Sequence, residues 1–207
     1  MGGQASGIQG AGAVYLPIST EEDTLQNYKN LILAAGILAI PALAAPPVVG
    51  QSATDFSLRS VRGSEVRLSE RTAQSKVVLL VLRGFPGYQC PLCQRQVHDF
   101  VKHAGAFAEA GVRVVFVYPG PRDAVSAKAN QFLEDKNFPE SFEMLLDPDY
   151  EFTNLYGLRW DAPKETAFPS TFLIEKGGTV SFQKVAKSHG GRTTAAEVLG
   201  LLPRRKQ

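Results

Sequence analysis

The chain has 207 residues, 44% hydrophobic and 20% charged, a balance that excludes wholesale disorder, a collagenous chain and a polytopic membrane protein. Lysine and arginine number 22 against 20 acids, a formal net charge of +2, so no basic excess is available for sequence-independent nucleic-acid binding, and no nucleic-acid partner is expected. The 2 cysteines lie in one short stretch and the histidines number 3, which excludes a disulfide scaffold and an all-cysteine zinc site, and no metal is expected.

Residues 1–30 are glycine-rich and then polar, with Glu21, Glu22, Asp23 and Lys29. Residues 30–54 carry no charge, and their apolar heart is 31–45, LILAAGILAIPALAA. That heart is shorter than the ~20 apolar residues that span a bilayer, and Pro41 interrupts it. It fits the apolar part of a secretory signal, with Ala42-Leu43-Ala44 as a small-residue cleavage pattern. The segment before it is long and acidic, unlike such a signal, which keeps two other readings open: a single membrane anchor, or an apolar helix packed on the domain. The chain is therefore divided into a leader over 1–45 (signal peptide or membrane tether), a flexible Pro/Gly linker over 46–54, and one domain over 52–203. An exported protein is expected (periplasmic, lumenal or anchored facing outward), with a cytoplasmic one as the alternative.

In the domain, Phe56-Ser57-Leu58 and Val66-Arg67-Leu68 alternate apolar and polar around Gly63, the pattern of a short hairpin. Residues 77–82, VVLLVL, form a continuous β-rich apolar run suited to a central strand buried on both faces. After the cysteines, Val97, Phe100, Val101, Ala104 and Phe107 recur at helical steps up to Gly111. Residues 112–118 read as a strand, 123–136 as a helix, 142–146 as a short strand and 170–174 as another strand. A tight turn at Gly177-Gly178 leads into an antiparallel strand over 180–185. A last helix covers 193–202, capped by Thr193 or Thr194. Alternation of this kind gives an α/β fold whose central mixed sheet is flanked by helices on both faces.

Cys90-Pro91-Leu92-Cys93 falls where the buried strand ends and the helix begins. Unpaired N–H groups and the positive end of the helix dipole converge there and favour a thiolate. Two sulfurs on one helical turn can close a disulfide without large backbone movement, and Pro91 suits a first-turn position. This is equipment for two-electron thiol chemistry rather than two buried apolar fillers. Phe168-Pro169-Ser170 puts a proline at a strand start, where a cis peptide would turn backbone toward the sulfurs; an ordinary trans proline is the plain alternative.

These residues resemble the thioredoxin superfamily, and within it the peroxiredoxin-like (AhpC/TSA, redoxin) branch, from about Val49 to Leu202. Residues 50–58, GQSATDFSL, are similar to that branch's opening, with Thr54 where proline is usual. Residues 86–93, PGYQCPLC, match its Pro-x-x-x-Thr/Ser-x-x-Cys motif with Cys90 in the Thr/Ser position. The resemblance implies a thioredoxin-like fold and an antioxidant oxidoreductase that reduces hydroperoxides through a Cys90–Cys93 dithiol/disulfide cycle. It implies no metal, flavin or nicotinamide cofactor, and an external dithiol reductant such as a thioredoxin-like protein. By the peroxiredoxin motif, Cys93 attacks the peroxide and Pro86 shields it; by the thioredoxin pattern, Cys90 attacks and Cys93 resolves. Pro169 stands where peroxiredoxins carry an arginine, so Arg83, or with less support Arg95, is the stand-in cation.

Two other activities follow from the same residues. One is thiol–disulfide exchange on protein disulfides. The other is a copper-binding module resembling the Sco-type proteins, with the cysteine pair and His189 as ligands, since soft thiolates suit Cu(I). That family separates its cysteines by three residues, where here only Pro91 and Leu92 intervene. His98 and His103 are expected on the surface. Trp160, Tyr156 and Tyr150 are expected to fill core gaps rather than to form a rim over the site.

Overall fold

The computed structural model describes residues 2–3 and 44–202. The leader expected over 1–45 therefore falls almost wholly outside the described residues. Among those that are described, no helix is long and apolar enough to cross a membrane.

The hairpin is present as β1 (Ser57–Arg59) and β2 (Glu65–Arg67), paired antiparallel with Leu58 opposite Val66. Leu68 does not extend it. It opens a helix, α1 (Leu68–Gln74), which the sequence reading missed. The central run forms β3 (Lys76–Val81). The long helix expected after the cysteines is two: α2 (Pro91–Lys102) and α3 (Ala104–Glu109), parted at His103, whose φ of −103° and ψ of 15° leave the helical range. There follow β4 (Val112–Gly120), α4 (Val125–Leu133) and β5 (Phe142–Pro148). A second unexpected helix, α5 (Glu151–Leu155), comes next. The chain then forms β6 (Ser170–Ile174), β7 (Val180–Val185) and α6 (Ala195–Gly200). Thr194 is the cap of α6, accepting from the Glu197 amide at 3.1 Å.

The main sheet has the order β5-β4-β3-β6-β7. Strands β3, β4 and β5 run parallel, and β6 and β7 are antiparallel to their neighbours. The side chains of β3 and of Leu82, the residue after it, alternate between two cores. Val78, Leu80 and Leu82 face α2, α3, α4 and α6, and they pack with both cysteines. Val77, Leu79 and Val81 face the hairpin, Leu68 of α1 and Phe152 of α5. Both faces of the sheet are thus covered, as the alternating pattern requires. All six residues from Val77 to Leu82 are fully buried, each contributing roughly 1.5–3 kcal/mol of apolar burial.

The segment expected to be a flexible linker is tied down from Gly50 onward. Gly50 N donates to Val180 O and Val180 N to Gln51 O, both at 2.9 Å, and Ala53 N donates to Gly178 O at 2.9 Å. Pairing absorbs a stretch that composition alone marks as loose. At the other side of the sheet, Val61 N donates to Met144 O at 2.9 Å.

Candidate active site

β3 runs out at Val81, and residues 82–90 carry the chain across the sheet end to α2. Gly84 makes this crossing possible. Its φ is +68°, and a Cβ there would meet the Pro119 carbonyl oxygen at 2.0 Å, so only glycine lets the loop lie on the end of β4. The loop delivers Cys90 as the N-cap of α2, with Pro91 in the first turn as expected. Register completes the site. Val81 pairs with Ser170, which brings buried Pro169 level with Leu82 at the same end of the sheet. No cis peptide occurs among the described residues, so the bond before Pro169 is trans and the turn expected from a cis bond is not made there. The Pro169 carbonyl instead accepts from Ala186 N at 2.8 Å and ties β6 to the end of β7.

Both cysteines are free thiols. Cys90 is 2% exposed and Cys93 0%. Their acidities part in opposite directions. The Cys93 thiol donates to the Cys90 sulfur, and this bond, outweighing burial, holds the Cys90 pKa well below the ordinary thiol value. No side chain closes a capping bond on α2, so the first-turn amides of Cys93 and Leu92 are left to support the Cys90 charge. Arg192 adds a cation, its Nη2 3.9 Å from Cys90 Sγ. Cys93 goes the other way: full burial pushes its thiol up, and the bond to Cys90 pushes it further.

Arg192 comes from the loop between β7 and α6, and the sequence reading did not single it out. Its Nε donates to His189 O at 3.0 Å and its Nη1 to Gln96 Oε1 at 3.1 Å. Gln96 in turn donates to Thr193 O at 3.1 Å, which pins the same loop to α2. Beneath the pair, buried Tyr118 donates to Gln89 Oε1 at 2.8 Å, and Gln89 donates to Lys128 O at 2.9 Å.

Arg83, expected as the cation at the sulfur, is buried and turned elsewhere. Its Nε donates to Glu165 Oε2 at 2.6 Å, its Nη1 to Tyr88 OH and its Nη2 to Lys164 O, both at 2.7 Å. The cation whose side chain bonds to the Cys90 sulfur is Arg192. Arg95 is exposed on α2. Pro86 lies half-buried in the loop ahead of Cys90. His189 does approach the site, but its Nε2 bonds to Glu165 Oε1 at 2.8 Å. Trp160, half-buried, stacks on Phe168 with centroids 4.7 Å apart and lies 5.2 Å from the His189 ring. Tyr156 is core, buried on the opposite face of the sheet, with its hydroxyl donating to Thr54 O at 2.6 Å. Tyr150 lies under the Arg159 guanidinium, 4.2 Å from its ring centroid. His98 is exposed and His103 partly so.

The match to known proteins fits this geometry. Residues 49–183 match the AhpC/TSA family. The chain belongs to that family. It is 26% identical over 145 residues to the thiol-disulfide oxidoreductase ResA of Halalkalibacterium halodurans, covering 70% of each chain. It is 28% identical over 136 residues to peroxiredoxin Bcp of Bacillus subtilis, covering 63% of this chain and 80% of that one. The crystal structure of peroxidoxin BcpB from Mycobacterium tuberculosis superposes with a TM-score of 0.60 at 22% identity, covering 74% of this chain and 95% of that one, a likeness of fold. The protein is accordingly a peroxiredoxin-like, thiol-dependent oxidoreductase of thioredoxin-like fold. The copper module finds no support. These relatives are thiol enzymes, His189 is engaged by Glu165, and no group of three or more His, Cys, Asp or Glu side chains among the described residues is arranged to hold a metal.

Proposed function

We propose that the protein reduces hydroperoxides, with Cys90 as the attacking sulfur and Cys93 as the resolving one. The observation that carries this reading is a Cys90 sulfur at the N-terminus of α2, 3.9 Å from the Arg192 guanidinium and yet only 2% exposed, a setting that favours the thiolate. A small oxidant needs less of such a sulfur uncovered than a folded partner does. The thiolate attacks one peroxide oxygen. The S–O bond forms as the O–O bond breaks, and the departing oxygen takes up a proton and leaves as water or an alcohol. Arg192 is placed to hold the peroxide and to stabilise the charge leaving with that oxygen. Cys90 is then a sulfenic acid. Cys93 attacks it, the S–S bond forms, and hydroxide leaves with the Cys93 proton as water. An external dithiol, such as a thioredoxin-like protein, returns the pair to the reduced state. The scheme draws on no metal, flavin or nicotinamide.

The order of attack departs from the Pro86…Cys93 motif, which would make Cys93 the peroxidatic residue. Burial and the bond to Cys90 hold Cys93 protonated, and a thiol is a far weaker nucleophile than a thiolate. Stopped-flow mixing of the reduced protein with peroxide tests the proposal. Reaction well above that of a free thiol at the same pH is expected; reaction no faster removes the peroxidase reading.

Exchange with protein disulfides is the second reading. It is favoured by Pro169 at the start of β6, the position where peroxiredoxins carry an arginine, together with a first cysteine more acidic than the second. Reduction of a protein disulfide substrate by the dithiol form tests it. The apolar run over 31–45 supports export or anchoring, and the mature N-terminus of the native protein tests that.

A further inference from the structure

The chemistry above uses Cys90, Cys93 and Arg192. It leaves unexplained a carboxylate buried close by. The Glu165 side chain is only 12% exposed and belongs to the loop that leads into β6. One of its oxygens takes the Arg83 Nε at 2.6 Å and the other takes the His189 Nε2 at 2.8 Å. Burial works against this carboxylate, but the bonds from Arg83 and His189 outweigh it and keep it ionised.

Each partner leads to Cys90 by a different route. Arg83 is 3% exposed, and its Nη1 donates to Tyr88 OH, two residues ahead of Cys90 in the same loop. His189 presents its backbone carbonyl to Arg192 Nε at 3.0 Å, and the same guanidinium reaches Cys90 Sγ at 3.9 Å. Three loops that are distant in sequence therefore meet at one carboxylate. The arrangement is also held under strain, because Lys164, whose carbonyl accepts from Arg83 Nη2, has a φ of +62°.

We propose that Glu165 is a positioning residue of the thiol site: by gripping Arg83 and His189 together it locks the 187–193 loop against the Cys90 loop and so holds the Arg192 guanidinium on the Cys90 sulfur. The inference concerns the sulfur's environment and rests on Cys90 being the acidic cysteine, not on which oxidant it meets.

The sign of one measurement separates this role from a plain electrostatic one. Glu165 is an anion close to an anionic sulfur. If it acted only through its charge, Glu165→Gln would make the Cys90 thiolate easier to form, the more so because Arg83 would lose its counter-ion. If it positions Arg192, the same change makes the thiolate harder to form. The reduced protein is titrated by thiolate absorbance, with iodoacetamide alkylation of Cys90 as a second readout. For Glu165→Gln an upward shift of about half a pH unit is expected, with alkylation slowed about twofold near the original midpoint and about threefold well below it. An unchanged or lowered midpoint overturns the proposal.

Removing the carboxylate strands a buried arginine and can prevent folding. His189→Ala covers that case, because it cuts only the arm toward Arg192 and leaves the Arg83–Glu165 pair whole. The same upward shift is expected, and an unshifted midpoint overturns the proposal. His189→Gln, whose amide retains a donor for Glu165, is expected to restore the midpoint; if it behaves like His189→Ala, the bond to Glu165 is not what matters and the inference fails. Peroxide kinetics are followed separately. A shifted midpoint in a protein that ignores peroxide removes the peroxidase reading and leaves the positioning role standing.

Discussion

The Cys93 thiol donates to the Cys90 sulfur, so the two cysteines of one helical turn titrate in opposite directions. Reactivity should follow the first of them. Alkylation of the reduced protein is expected to titrate well below the free-thiol pKa of about 8.5 and to be level by neutral pH, with Cys93 inert until the protein unfolds. Stability follows the same sign. The Cys90 pKa is lower folded than unfolded, so its contribution is present above the unfolded value and fades as pH falls toward the folded one. Cys93 has its pKa raised and subtracts only above the unfolded value. The reduced form should therefore gain stability from mildly acidic to mildly alkaline pH relative to the disulfide form. Denaturant melts of both forms across that range check this, and parallel curves would contradict it.

The roles of the sulfurs can be assigned by mass. Treated with one equivalent of peroxide, Cys93→Ser should gain one oxygen on Cys90 and hold it, and Cys90→Ser should stay unmodified. The reverse pattern would restore Cys93 as the attacker.

Arg192 is expected to matter through charge. An opposite charge within about 4–6 Å typically lowers an acid's pKa by about 1–3 units, and here the Cys93 thiol and the first-turn amides share the work. Arg192→Met should raise the Cys90 midpoint, about 5, by about a unit, which roughly halves the thiolate present at pH 6 and slows reaction with peroxide there by at least about twofold. Arg192→Lys should recover part of both. A midpoint unmoved in Arg192→Met would show the guanidinium to be idle.

The site was half legible in the sequence, for reasons specific to each part. β6 and β7 match their predicted spans, because an unbroken apolar run and a Gly-Gly turn are local signals. α1 and α5 were missed, since 7 and 5 residues are too few to display a helical period. The break at His103 was hidden because the apolar face continues across it from Phe100 to Phe107, whose rings stack 5.3 Å apart. Cys90 and Cys93 were found through their spacing. Arg192 was not, because it meets Cys90 across 102 residues and sits in a Gly-rich stretch that reads as an ordinary loop. Arg83 was singled out for its nearness in sequence to the cysteines, but Glu165, placed by the β6 loop, claims its guanidinium.

Two backbone positions give a structural test. Gly84→Ala forces a side chain into the Pro119 carbonyl at a left-handed φ, and should lower stability by about 1–3 kcal/mol or more. Lys164 is the converse. It adopts φ +62° with a side chain present, so Lys164→Gly should relieve up to about 1 kcal/mol while keeping the carbonyl that Arg83 uses. Thermal melts of both variants should move in opposite directions, and a destabilised Lys164→Gly would count against strain at that residue.

The stretch from Gly50 to Val61 hydrogen-bonds to the first residue of β7 and, a few residues later, to the middle of β5. Those are the two outermost strands, so a single short passage of chain shields part of each border of the sheet. Unpaired borders recruit other molecules by adding strands. A protein trimmed through the hairpin would thus expose two templates for self-association at once, and its failure in solution would be clumping before any loss of thiol chemistry.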